Sequence, residues 1–345
     1  MREEDFIDIV RHAWIDYDKS RPIKSIVDIS AQVSTNHVYK VTLPDKEFVI
    51  AKFSYYGHFD HFREDHLIIN TLSNNLPYPY ENFLSRAFMK GEHIFIYRHQ
   101  REDLDAWVIF YRPVKIRARL PKRLQEEQIV RLGASFAKLH SACHKIRHTL
   151  PSSSKSMRYD IYQLQDRIRA SRDQGYTADD KVILEHAEAF LTAIHHPDVR
   201  ALDPIPVFVD WNIGNFSTTP SLRLYSRWDY DWFRLSTRML DFYFFSRVVS
   251  DIGDRTYFHY SLDPLMEDRF LLFLASYHSV YPLLPSEIFL LKEIYRFFIL
   301  NYVIKDGNYF FKEKYAARLQ KEAIEEYLPS VNRFDAEKIL KTLRL

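Results

Sequence analysis

A change of pattern near residue 112 constrains this chain most. Residues 25 to about 112 are rich in strand signals. Val38-Tyr39-Lys40-Val41 and Phe48-Val49-Ile50-Ala51-Lys52-Phe53 are β-branched and aromatic, with Leu43-Pro44-Asp45-Lys46 as the turn between them. A helix is expected from about 61 to 72, where Phe62, His66, Ile69 and Leu72 form one stripe. Glu64, Leu67, Ile68 and Thr71 form the neighbouring stripe. More strands are expected at 84–88, 93–98 and 106–111, before Pro113 interrupts the pattern.

From about 125 the pattern turns helical, with Ile129, Leu132, Phe136 and Leu139 at helical spacing up to His140. After a Ser-rich break at 151–156, helices are expected at about 158–173 and 178–195. A β-rich stretch runs from Val207 to Asp231. Helices are expected again at about 239–250, 264–280, 286–305, 309–327 and 334–343, with Asp306-Gly307 as a helix stop. The implied architecture is α+β: a small, mainly β lobe over 1–112 and a larger, mainly α lobe over 113–345.

Bulk properties exclude several classes. With 26 Phe and 23 Tyr against 7 Gly, the chain builds a dense aromatic core rather than a low-complexity segment. A formal charge of +2 argues against a nucleic-acid partner and against a polybasic membrane binder. Cys143 is the only cysteine, so no intrachain disulfide is possible. The start, Met1-Arg2-Glu3-Glu4-Asp5, is acidic with no long apolar segment behind it, unlike a secretory signal. No uncharged apolar run approaches the ~18–20 residues needed to span a bilayer. A soluble, cytoplasmic protein is the expectation.

The chemistry concentrates near the middle. Asp210 follows the short apolar run Pro206-Val207-Phe208-Val209, and Asn215 lies five residues on, with Gly214 to relieve the turn. Taken alone, an Asp and an Asn in a turn are ordinary surface residues. Asp229 changes the reading. Thr218-Thr219-Pro220-Ser221 is a turn and Leu222-Arg223-Leu224-Tyr225 a strand, so a hairpin brings Asp229 beside Asn215. Phosphoryl transfer needs such a set: one carboxylate to orient and deprotonate a hydroxyl, and an amide plus a second carboxylate to hold magnesium. Asp231 either assists the metal, faces the substrate or is solvated. Lys52, near the end of an apolar strand, can reach nucleotide phosphates. Glu64 or Asp65, on the following helix, can pair with it.

These pieces, in this order, resemble the aminoglycoside phosphotransferase and choline kinase superfamily, a branch of the protein-kinase-like fold. The resemblance runs from about residue 25 to about 305. Ser34-Thr35-Asn36-His37-Val38-Tyr39-Lys40-Val41 is similar to its nucleotide-covering turn, and Val49-Ile50-Ala51-Lys52 to its phosphate-anchoring strand. Leu132-Gly133-Ala134-Ser135-Phe136-Ala137-Lys138-Leu139-His140 matches its "LG…A.LH" helix. Asp210 to Asn215 match its "HGD…N" loop, and Trp228-Asp229-Tyr230-Asp231 with Asp241 its "IDW(D/E)…DLA" segment. The resemblance implies ATP and Mg²⁺ as cofactors, Asp210 as base, and Asn215 and Asp229 as metal ligands. It makes Lys52 and Glu64 a nucleotide-anchoring pair and places Ser34 and Asn36 over the nucleotide. Asp241 becomes a structural buried carboxylate.

Two departures stand out. Phe208-Val209 replaces the family's His-Gly, whose histidine braces the loop; an aromatic fills the space without its hydrogen bonds. The nucleotide turn, Ala31-Gln32-Val33-Ser34-Thr35-Asn36, has no glycine. The expected function is ATP- and magnesium-dependent transfer of the γ-phosphoryl group to a hydroxyl of an aminoglycoside-, choline- or sugar-like small molecule. The rival readings are a pseudokinase scaffold and a Ser/Thr protein kinase, though the chain has no recognisable activation segment.

Other features read as structural. The basic run 112–123 is a solvated connection, and His58, His61 and His66 are surface or helix-face residues. The rings from Phe242 to Phe245 and Tyr295 to Phe311 pack a core rather than a cationic cage. Asp251, Asp254, Asp263, Glu267 and Asp268 are available to an aminoglycoside pocket, and ordinary surface placement explains them equally well.

Overall fold

The computed structural model describes residues 3–31, 33–170, 176–251 and 258–345. Gln32, Asp254, the Met1-Arg2 start and the expected last residues of the 158–173 helix lie outside that set. The first element is a helix, α1 (Glu3–Asp18), which the expectations above omit. Its signal was present: Phe6, Ile9, Val10, Ala13 and Trp14 recur at helical spacing, and all five are buried.

The small lobe is built on an antiparallel sheet. Ser25–Asp28 (β1), His37–Thr42 (β2), Phe48–Ser54 (β3), Ile96–Arg101 (β6) and Leu104–Tyr111 (β7) are ordered β1-β2-β3-β7-β6. Between β3 and β6 lie helix α2 (Phe59–Asn75) and the short pair Met89–Lys90 (β4) and His93–Ile94 (β5). The period of two sorts the sheet. Val49, Ala51 and Phe53, with Ala106, Val108 and Phe110, pack with α1 in one core cluster. Lys52 points from the other face, paired in register with Val38 and Ile109. The strand expected at 84–88 does not form. Leu84 and Ala87 make only single bridges, to Arg227 and Tyr111, because the segment crosses from one pairing partner to another.

The larger part is helical. Glu126–Ile146 (α3) starts with reciprocal hydrogen bonds between Gln125 and Gln128. Met157–Ala170 (α4) and Ala178–Ile194 (α5) follow, then Phe242–Val249, Asp268–Val280 and Pro285–Phe298. The helix expected over 286–305 ends in a π-helical turn, Ile299–Lys305. Gly133 sets how closely α3 meets helix 268–280. A Cβ there would lie 2.6 Å from the Phe273 carbonyl oxygen, so only glycine permits the crossing. Four short strands, Ile205–Val207 (β8), Phe216–Thr218 (β9), Leu224–Arg227 (β10) and Arg234–Ser236 (β11), pair as β8 with β11 and β9 with β10. Tyr243, Phe244, Tyr260 and Phe298 are buried against one another, as a core should be. Among the described residues, no helix is long and apolar enough to cross a membrane.

Candidate active site

The loop after β8 carries Asp210, and a buried carboxylate fixes its entry. Asp241 Oδ1 accepts from the backbone N–H of Phe208 (2.8 Å) and of Val209 (2.6 Å). Its Oδ2 lies 3.0 Å from His140 Nε2, whose Nδ1 lies 2.9 Å from the Tyr277 hydroxyl. The "LH" of α3 therefore serves the loop through Asp241. Val209 adopts φ +61°, a left-handed conformation that a β-branched side chain resists. The family pattern has glycine at this position, so the departure carries a local conformational penalty.

Asp210 Oδ2 accepts from Asn215 Nδ2 at 2.9 Å, and its Oδ1 accepts from the Asn212 N–H at 3.1 Å. Burial, reinforced by the nearby charge of Asp229, pushes the Asp210 carboxyl up to about 6. It is thus a stronger base than a free carboxylate, yet ionised at neutral pH. The β9–β10 hairpin does what the turn and strand pattern implied. Trp228 N–H donates to the Asn215 carbonyl at 3.0 Å, which sets Asp229 beside Asn215. Because Asn215 turns its amide N–H to Asp210, its carbonyl oxygen remains for a cation.

Lys52 Nζ lies 2.9 Å from Asp229 Oδ1 and also contacts Asp231. Asn36 Nδ2 donates to Asp231 Oδ2 at 2.8 Å. Burial disfavours the Lys52 charge, but Asp229 and Asp231 more than compensate and raise its pKa. Burial also disfavours the Asp229 charge, and Lys52 reverses this, holding Asp229 below its ordinary value. Asp231 is therefore not a solvated acid: it shares Lys52 and Asn36. Ser34 Oγ accepts from the Asn36 N–H at 3.1 Å, and Ser34 bridges to Phe311. One cavity is lined by Ser34, Asn36, Asp210, Asn215, Asp229 and Asp231.

The Lys52–Glu64 pairing is corrected by the structure. Glu64 Oε1 accepts from Ser153 Oγ (2.8 Å) and the Ser154 N–H (2.7 Å), capping the Ser-rich turn. The rival, Asp65, pairs with Lys155. Lys52 has its charge met by Asp229 and Asp231 instead, because it leaves β3 on the face that the Trp228–Asp231 segment covers. His66 takes the helix-face reading rather than the surface one: it is 5% exposed, its Nδ1 is 2.7 Å from the Phe62 carbonyl, and its other nitrogen meets the Tyr111 hydroxyl. Among the described residues, no group of three or more His, Cys, Asp or Glu is placed to hold a metal by itself. The phosphates of a nucleotide would have to complete a magnesium site on Asn215 and Asp229.

One central residue escaped the sequence reading. Arg227, which directly precedes the Trp228–Asp231 segment, is completely buried beneath the loop. Its guanidinium lies 4.6 Å from the Phe208 ring and 4.4 Å from the Trp211 ring. Its strand, Leu224-Tyr225-Ser226-Arg227, carries no sequence signal of that burial.

The fold is that of the aminoglycoside phosphotransferases and related small-molecule kinases, with the two lobes of the protein-kinase-like fold. An amicoumacin kinase in complex with AMP-PNP and Ca²⁺ superposes with a TM-score of 0.61 at 13% identity, covering 91% of each chain. A microcompartment-associated aminopropanol kinase gives 0.60 at 17% identity, over 94% of this chain and 98% of its own. A type I macrolide 2′-phosphotransferase gives 0.57 at 14% identity, again over 94% and 98%. No protein-family model matches the sequence, and no curated protein does.

Proposed function

We propose that this protein transfers the γ-phosphoryl group of ATP, with magnesium, to a hydroxyl of a small molecule. The observation that carries the reading is the juxtaposition of Asp210, Asn215 and Asp229 on the wall of one cavity, with Lys52 in contact with Asp229 behind it. Asp210 orients the acceptor hydroxyl and takes its proton. Asn215 and Asp229 would hold magnesium, which offsets phosphate charge when bound. Lys52 meets the phosphates in exchange for part of its contact with Asp229 and Asp231. The solved kinase with AMP-PNP and Ca²⁺ supports a nucleotide and a divalent cation in this fold.

The acceptor reading follows from the adjoining cleft, which shares Asn36, Asp231 and Trp232 with the catalytic cavity. Its wall cations are matched. Lys155 pairs with Asp65, Arg234 with Asp160, and Lys305 with Asp160 and Asp306 at 3.1 Å each. An aminoglycoside-like polycation needs unmatched carboxylates, so these pairs favour a sugar-like, uncharged and hydroxyl-rich acceptor.

The strained Val209 favours a second reading, a pseudokinase that binds nucleotide without turnover. Thermal stability with and without ATP and Mg²⁺, in wild type and Asp229→Ala, tests the nucleotide site. At ~100 times Kd, binding stabilises the fold by about 2.7 kcal/mol. A magnesium-dependent shift that Asp229→Ala abolishes supports the site. A wild type that does not respond removes both readings.

A further inference from the structure

Among the described residues, Arg227 has no carboxylate within ion-pair distance. It is fully buried, and among the described residues its Nε and Nη1 find no hydrogen-bond partner. Burial lowers its pKa, with the fields of Asp210, Asp241 and Asp229 opposing from beyond ion-pair distance. Such a group is costly to fold around, and an apolar side chain of similar length would be cheaper. What holds it is contact with two aromatic rings set nearly perpendicular to each other, Phe208 and Trp211.

What it does is visible in its remaining nitrogen. Nη2 donates to the Asp210 carbonyl at 2.9 Å and reaches the Asp229 carbonyl at 3.4 Å. Those two residues stand 19 positions apart, on separate loops, and each sits beside a backbone position with positive φ: Val209 at +61° and Asp229 itself at +68°. Asp241 holds the entry of the first loop and the Trp228–Asn215 bond the entry of the second, but among the described residues no strand pairing runs through Asp210 or Asp229. We propose that Arg227 is a positioning residue that clamps the main chain of Asp210 to that of Asp229, fixing the spacing of the two carboxylates. The Phe208 and Trp211 rings keep the guanidinium in register. The inference rests on the phosphotransfer reading for its consequence, since a fixed Asp229 is what a metal-bound nucleotide requires.

The test uses the intact chain and two variants, Arg227→Met and Arg227→Lys. Unfolding of the free protein and calorimetric affinity for Mg²⁺·ATP are both measured. Arg227→Met removes the buried charge, so it is expected to be as stable as wild type or more so. Its affinity for Mg²⁺·ATP is expected to fall by about tenfold or more, the scale seen when groups that orient metal ligands are lost. Arg227→Lys keeps a donor and is expected to recover part of that loss. Wild-type affinity in Arg227→Met overturns the proposal. So does a Met variant that loses affinity only in proportion to lost stability, or that fails to fold, because the arginine is then merely structural. If wild type itself binds no Mg²⁺·ATP, the underlying functional reading fails, a result distinct from wild-type binding with an indifferent variant.

Discussion

Lys52 Nζ and Asp229 Oδ1 stand 2.9 Å apart across 177 residues of sequence. This pair joins the small-lobe sheet to the segment proposed to hold the metal, and Asp231 shares the same cation. Lys52→Ala leaves two neighbouring carboxylates facing each other. Breaking a buried pair costs about 3–5 kcal/mol, and the 39% exposure of the Asp229 side chain should reduce this to about 2–3 kcal/mol. Added Mg²⁺ should restore more stability in Lys52→Ala than in wild type, because a divalent cation replaces the missing charge. Denaturant titrations with and without Mg²⁺ measure both effects.

Val209 and Val207 make a matched pair of probes. Both are buried, but only Val209 has a left-handed backbone. Val209→Gly relieves about 1–2 kcal/mol of backbone strain and forfeits about 1.5–3 kcal/mol of burial. The net change should lie between a gain of about 0.5 and a loss of about 2 kcal/mol. Val207→Gly, with no strain to relieve, should cost about 2–4 kcal/mol.

Gly133→Ala reverses a common rule. Alanine is better than glycine in a helix by about 1 kcal/mol. Here the new Cβ would meet the Phe273 carbonyl oxygen at 2.6 Å, so helices α3 and 268–280 must part. Overpacking of this kind costs about 1–3 kcal/mol, and the variant should melt below wild type in a thermal scan.

His66 sets a pH limit. Burial lowers its pKa to about 3, against an ordinary value of 6.5. Below about 6.5 the unfolded chain takes up a proton that the folded chain refuses. Stability is therefore fully present above about 6.5 and declines as pH falls towards 3. Between pH 7 and pH 5 this one group should remove about 2 kcal/mol. Unfolding of His66→Gln should show a flatter acid limb over that window.

Much of this was legible in the residues. The period of two in Val49 to Phe53 and the helical stripe from Ile129 to His140 gave both lobes. The Asp210, Asn215 and Asp229 order gave the centre, since hairpin chemistry between them is local. What failed was long-range. Glu64 and Asp65 sit one residue apart on α2, so the helix rotation that sends them to Ser153 and Lys155 depends on packing no spacing records. Arg227 drew no notice, because burial of a cation with no ion pair among the described residues is an exception no pattern announces. Asp231 looked solvated for the same reason: its partners, Lys52 and Asn36, come from the other lobe.

The most direct measurement is phosphoryl transfer itself. Incubation with Mg²⁺·ATP and a panel of hydroxyl acceptors, followed by ³¹P NMR, compares wild type with Asp210→Asn. The account predicts transfer by wild type to uncharged polyhydroxylated acceptors. It predicts a loss of about 10²–10⁴-fold in Asp210→Asn, the usual contribution of a general base, with Mg²⁺·ATP affinity retained. Equal transfer by both proteins, or nucleotide binding by wild type with no transfer to any acceptor, would contradict it.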